Sequence, residues 1–139
     1  MSENCCANTG QALILACSGG SNVGQLTNQA AVELTKEGFG KMFCLAGVGG
    51  NLPGFVRAVA EAPALLVLDG CEVGCAKAIL AQAGAPLRGH LVLTELGVVK
   101  NKDLTPPAEQ LAQVKEAAKK AAWSAGPSLT TIGGCACGK

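Results

Sequence analysis

Leu65-Leu-Val-Leu-Asp-Gly-Cys-Glu-Val-Gly-Cys75 is the stretch whose reading decides the fold. Four consecutive aliphatic residues suit a strand covered on both faces, not one alternating between core and water. The glycine-containing turn after them leads into a helical stretch from about Val73 to Ala83, closed by Gly84. Strand, turn and helix in that order are the opening of a parallel βαβ unit.

The same order recurs on either side. Ala12–Ala16, Lys41–Ala46 and His90–Thr94 read as further strands. A helix is expected over Val23–Lys36, capped by Ser21 or Asn22 and ended by Gly38. Pro53 suits the first turn of a helix through Glu61, and Pro63 stops it. A last helix, Pro106–Ala122, sets Leu111, Val114, Ala118 and Ala121 on one stripe, opposite Glu109, Lys115, Lys119 and Lys120. The alternation predicts an α/β protein: a single three-layer Rossmann-like domain of about four parallel strands with helices on both faces. Its core would run over about residues 12–122, with irregular cysteine-containing tails at 1–11 and 123–139.

Composition narrows the function. The 139 residues are 49% hydrophobic and 15% charged, enough apolar content for a core built without staples. A net charge of +1, no basic stripe and few aromatics (Trp123, three Phe, no Tyr) argue against nucleic acid. No apolar run approaches the ~18 residues of a membrane span, and Met1–Gln11 lacks a charged-then-apolar leader. No membrane partner and a cytoplasmic location are therefore expected. Eight cysteines then point to metal binding or thiol chemistry in preference to disulfides.

In a parallel sheet the loops leaving the carboxyl ends of the strands form the functional edge. Cys17 follows the first strand, Cys44 lies near the end of the second, and Cys71 and Cys75 follow the third. Sulfur from three strands is thus expected at one edge. Clustered thiolates repel one another unless a cation or retained protons hold them, and zinc takes four such ligands in a tetrahedron. A buried, inert thiol is the competing reading for each, most of all for Cys44 between Phe43 and Leu45. Cys135 and Cys137, and the Cys5-Cys6 pair, lie in the tails as second-site ligands, a redox pair or idle thiols.

Cys17-Ser-Gly-Gly-Ser-Asn-Val-Gly24 joins the first strand to its helix. Ser18, Gly19, Gly20, Ser21 and Asn22 there are candidates to bind an anion through free amides, although Gly-Lys-Ser/Thr is missing. A plain turn explains the loop equally well. Gly47-Val-Gly-Gly-Asn-Leu-Pro53 is read as a second strand-to-helix connection. Asp69 is expected to brace the loop beside a metal instead of ligating it, oxygen being a poorer match for a thiophilic ion. His90, opening the fourth strand, is placed at the opposite edge, and Glu95 at the functional one.

The segments Cys17-Ser-Gly-Gly-Ser-Asn-Val-Gly-Gln25, Cys44-Leu-Ala-Gly-Val-Gly-Gly50, Leu68-Asp-Gly-Cys-Glu-Val-Gly-Cys75 and Val92-Leu-Thr-Glu-Leu-Gly97 resemble, in order, the DGC-domain family. These small prokaryotic proteins are described as zinc-binding and named for Asp-Gly-Cys, here Asp69-Gly70-Cys71. The resemblance spans roughly residues 12–120 and implies Cys17, Cys44, Cys71 and Cys75 as the metal set. It implies no reaction, and it leaves Cys135 and Cys137 outside its segments.

Three functions follow from these residues. The leading one is a protein that stores, senses or delivers zinc or another thiophilic metal, with a metal donor or acceptor protein as partner. The second is a thiol oxidoreductase or sulfur-transfer protein using Cys17 with a resolving cysteine. The third is a small-anion module built on the glycine loops. Oligomeric state is not encoded in any of these features.

Overall fold

The aliphatic run Ala12–Ala16 forms β1, the centre of the sheet, in this computed structural model, which describes residues 12–124. Alternate side chains of β1 serve opposite faces, as a pleated strand requires. Ile14 and Ala16 enter one core and Leu15 the other. The longer run Leu65–Asp69 is β3, buried throughout, and it divides in the same way: Leu66 and Leu68 against Leu65 and Val67. β2 (Gly40–Met42) and β4 (His90–Val92) complete an all-parallel sheet in the order β2-β1-β3-β4.

Helix α1 (Asn22–Lys36) forms where sequence chemistry asks for it. Ser21 is extended, and its hydroxyl accepts the Gly24 amide at 3.1 Å, satisfying one orphan donor of the first turn. Val23, Leu26, Ala30 and Leu34 make the buried stripe. At the other end the Gly38 amide donates to Thr35 and that of Phe39 to Leu34, a Schellman closure that needs the positive φ of Gly38. Gly84 closes α4 (Cys75–Gln82) in the same way.

The layers follow from these faces. α1 and α5 (Ala108–Ser124) cover one face of the sheet, with Val114 and Ala118 of α5 buried against it. α2 (Leu45–Gly49), α3 (Pro53–Glu61) and α4 cover the other. Across the surface Lys115 of α5 hydrogen-bonds Glu37, just past α1, which holds the Glu37 carboxyl below its ordinary value. This pair is exposed and clasps two helices already joined by their apolar stripes.

Two expectations need correction. The strand expected over Lys41–Ala46 ends at Met42, and Leu45–Gly49 is helical. A short apolar run fits either state; here Leu45 and Val48 lie three apart and bury together, a helical spacing. Gly47 allows it, because a Cβ there would lie 2.5 Å from the Phe55 ring of α3. The fourth strand likewise stops at Val92, and Leu93–Leu96 forms a 3-10 turn ended by Gly97 at φ 88°.

Candidate functional site

Three of the expected cysteines reach one cavity. It lies beyond the carboxyl ends of β1 and β3, has a volume of about 230 Å³, and is lined by Cys17, Cys71 and Cys75 together with Asp69, Lys100 and Lys102. The glycine loop from Gly19 to Gly24 supplies its floor. Cys17 and Cys71 are half-buried and Cys75 is exposed.

Each sulfur is placed by a different device. Cys17 follows β1 directly, its amide donating to Leu68 of β3. Its sulfur lies 3.5 Å from the hydroxyl of buried Thr27. That hydroxyl has one hydrogen, given to the Gly24 carbonyl at 2.7 Å, and it also accepts the Ser18 amide. The Cys17 thiol is therefore the donor in its contact with Thr27. Cys71 follows Gly70, where a Cβ would come within 2.8 Å of the Val23 carbonyl carbon and 2.9 Å of the Gly24 nitrogen. Only glycine lets the start of α1 and the β3 turn approach so closely. Gly70→Ala should cost about 2 kcal/mol, since the obstacle is backbone on both sides; a urea midpoint equal to the parent's would contradict this packing.

Cys75 opens α4, whose cap residue, Gly74, is left-handed (φ 68°) and offers no side chain. Asp69 supplies the missing acceptor from the end of β3. Its Oδ1 takes the Ala76 amide at 2.8 Å and its Oδ2 the Lys77 amide at 3.1 Å. A carboxylate only 1% exposed needs such partners. A third comes from His90, whose Nε2 lies 2.8 Å from Asp69 Oδ2. This corrects the placement of His90 at the far edge. β4 is short and slid toward the carboxyl end of β3, so His90 pairs with Val67 and Val92 with Asp69.

The loop after the 3-10 turn contributes what the sequence did not announce. Buried Asn22 donates from Nδ2 to the Val99 carbonyl at 2.8 Å and accepts the Asn101 amide on Oδ1 at 2.6 Å. These two bonds hold the segment that carries Lys100, whose Nζ donates to Cys71 Sγ at 3.4 Å. Lys102 lines the cavity beside it. Loop cations next to Val98 and Val99 look like solvated charges in the chain, and nothing local marks a tether to Asn22.

The other expected residues fall as follows. Cys44 is exposed at the start of α2, on the carboxyl edge of β2, and is not among the cavity-lining residues. In the glycine loop the amides of Ser18, Ser21 and Asn22 donate to Thr27, Gly19 and Asn101. Ser18 adopts φ 52° and its hydroxyl donates to Asn28. Gly20 lines the cavity. Glu95 is exposed. Cys135, Cys137, Cys5 and Cys6 lie outside the described residues. Among the described residues, no three of His, Cys, Asp and Glu are grouped closely enough to hold a metal ion as the side chains stand. The donor chemistry suits a soft ion, and as the side chains stand the sulfurs are not grouped around one. No helix among the described residues is long and apolar enough to cross a membrane.

The DGC domain matches residues 13–118, which include all of β1 but its first residue, the glycine loop and all four cysteines of the sheet edge. Among curated proteins, the anaerobic and virulence modulator AnvM of Pseudomonas aeruginosa is 43% identical over 88 residues, covering 63% of this chain and 67% of AnvM. No solved structure gives a significant match.

Proposed function

The chain belongs to the DGC-domain family, and on that footing we propose that it binds a thiophilic metal ion, zinc in the first instance, through Cys17, Cys71 and Cys75. One observation carries the reading: two separate strand ends bring three thiols to the same cavity of about 230 Å³. When bound, such an ion supplies a positive centre on which deprotonated sulfurs can converge.

The residues around the thiols have defined parts in this scheme. To serve as a ligand Cys17 would give up its hydrogen bond to Thr27. Cys75 stands at the amino-terminal end of α4 and lines the cavity. Asp69 fixes that helix end, and His90 steadies Asp69, so neither has to ligate. Cys44 would join only if the start of α2 moved. The role is storage, sensing or delivery of the ion, with a protein that donates or accepts it as the partner.

The test is a thiol count in anaerobic buffer. One equivalent of zinc should protect three thiols from a chromogenic disulfide reagent, with Cys17, Cys71 and Cys75 identified by mass mapping. Unchanged reactivity of these three in saturating zinc would overturn the proposal.

One contact favours a second reading, thiol oxidoreduction or sulfur transfer. Lys100 Nζ at 3.4 Å from Cys71 Sγ sets a cation beside this thiol, which moves the nucleophile's part from Cys17, where the sequence put it, to Cys71. On that reading Cys71→Ser would remove the fastest phase of reaction with a small disulfide, leaving that of the other thiols, with zinc content unchanged.

A further inference from the structure

Cys71 and two lysines share one wall of the cavity. The Cys71 sulfur accepts a hydrogen bond from Lys100 Nζ at 3.4 Å, and Lys102 lines the same space. Neither lysine forms an ion pair with a carboxylate among the described residues. The other charge on the lining is Asp69, which is 1% exposed and engages the Ala76 and Lys77 amides and His90. Two cations against this one carboxylate leave a single net positive charge with His90 neutral, and a protonated His90 adds another. Glu72, beside Cys71, is not a lining residue, and its carboxylate accepts the Thr94 hydroxyl. The amides of Ser18, Ser21 and Asn22 are taken internally, so the lysines, not these parts of the loop, give the cavity its attraction for negative charge. Its volume of about 230 Å³ approaches the lower end, ~300 Å³, of small-molecule pockets. Cys17 meets the Thr27 hydroxyl, whereas Cys71 meets a cation, so an anion held by the lysines lies against Cys71.

We propose that Cys71 is the thiol through which this chain exchanges with small anionic disulfides, whose carboxylates pair with Lys100 and Lys102. The inference rests on the thiol-exchange reading above, deepens it by naming the class of substrate, and involves no metal. In the step, Cys71 loses its proton to solvent and its sulfur attacks one sulfur of the disulfide. The new bond to Cys71 forms as the substrate's S–S bond breaks, and the departing half leaves as a thiolate that solvent protonates. The Cys71 sulfur is oxidised and the departing sulfur reduced, so no other oxidant is needed. What remains is a mixed disulfide whose carboxylate stays on the ammonium groups. Opposite charges a few ångströms apart attract even through water, and salt weakens that attraction. The bonds from Asn22 to Val99 and Asn101 hold the segment that carries Lys100, so this cation stands beside the thiol before the reagent arrives.

The experiment uses the full chain, reduced and treated with a chelator in anaerobic, low-salt buffer. Three small disulfides are compared: dithiodiglycolate (anionic), bis(2-hydroxyethyl) disulfide (neutral) and cystamine (cationic). Samples quenched in acid at timed intervals are mapped by mass, which gives a rate at each cysteine. Cys44, exposed and not among the cavity-lining residues, is the reference thiol in every sample. The anionic-to-neutral rate ratio at Cys71 should exceed that at Cys44 about tenfold, and the excess should shrink in high salt. The cationic reagent should be slower than the neutral one at Cys71. The double variant Lys100→Gln, Lys102→Gln should lose the preference; because a ratio is read, any change in the thiol's own reactivity cancels. Equal ratios at Cys71 and Cys44, a preference unchanged in the double variant or in high salt, or anionic reagent taken up first at Cys17 or Cys75 would overturn the proposal. Fast exchange at Cys71 without charge selectivity refutes this inference alone. A Cys71 that stays unmodified by all three reagents while Cys44 reacts refutes the thiol-exchange reading with it.

Discussion

Asp69→Ala should lower the stability of the protein by about 3 kcal/mol, the largest loss expected from any single polar substitution at the site. The carboxylate closes the open end of α4, accepting the Ala76 and Lys77 amides, and it holds His90. Loss of a helix cap costs ~1 kcal/mol, and each buried donor left without an acceptor costs a further ~1–3 kcal/mol. The total is partly offset where water reaches Lys77, which is exposed. For a chain of this size the change corresponds to a fall in Tm of about 10 °C. Asp69→Asn keeps one carbonyl oxygen and should recover part of the loss while still binding zinc. Asp69→Ala within about 0.5 kcal/mol of the parent would remove the bracing role. Zinc affinity abolished in a stably folded Asp69→Asn would mean that Asp69 is itself a ligand.

Cys17→Ser, Cys71→Ser and Cys75→Ser should each weaken zinc binding about a hundredfold, whereas Cys44→Ser should change it less than about threefold. A structural zinc site is worth ~10–16 kcal/mol in total, so one of four ligands accounts for ~3 kcal/mol, which is two orders of magnitude. Cys44 is exempt because it is exposed and not among the residues lining the cavity. A competition titration against a chromophoric chelator measures all four variants on one scale. An equal hundredfold loss in Cys44→Ser would show that the four-cysteine set implied by the family resemblance operates whole, with α2 moving to close it. Cys17 and Cys71 pack against the edges of the two cores, so a melt of each variant separates lost affinity from lost folding.

Much of the scaffold is legible in the chain. Ala12–Ala16 and Leu65–Leu68 are aliphatic on both faces and find the two central strands, and Gly38 and Gly84 mark helix ends through a backbone conformation other residues rarely adopt. What the chain conceals is non-local. The apolar run after Met42 fits strand or helix until Phe55 packs on Gly47. His90 reaches Asp69 because of the register of β4 on β3, which local periodicity does not encode. Lys100 and Lys102 enter the site through Asn22, 77 residues from Val99 and equally distant in pattern. The cysteines were visible as a group because sulfur is scarce and strand ends are predictable; their division into three inside the cavity and one beside it required coordinates.

The most direct measurement is the X-ray absorption spectrum of the full chain loaded with one equivalent of zinc in thiol-free, anaerobic buffer. A shell of three sulfurs at about 2.3 Å, reduced in Cys71→Ser, is the result predicted. A shell of oxygen and nitrogen alone, or zinc that washes away from the reduced protein, would contradict it.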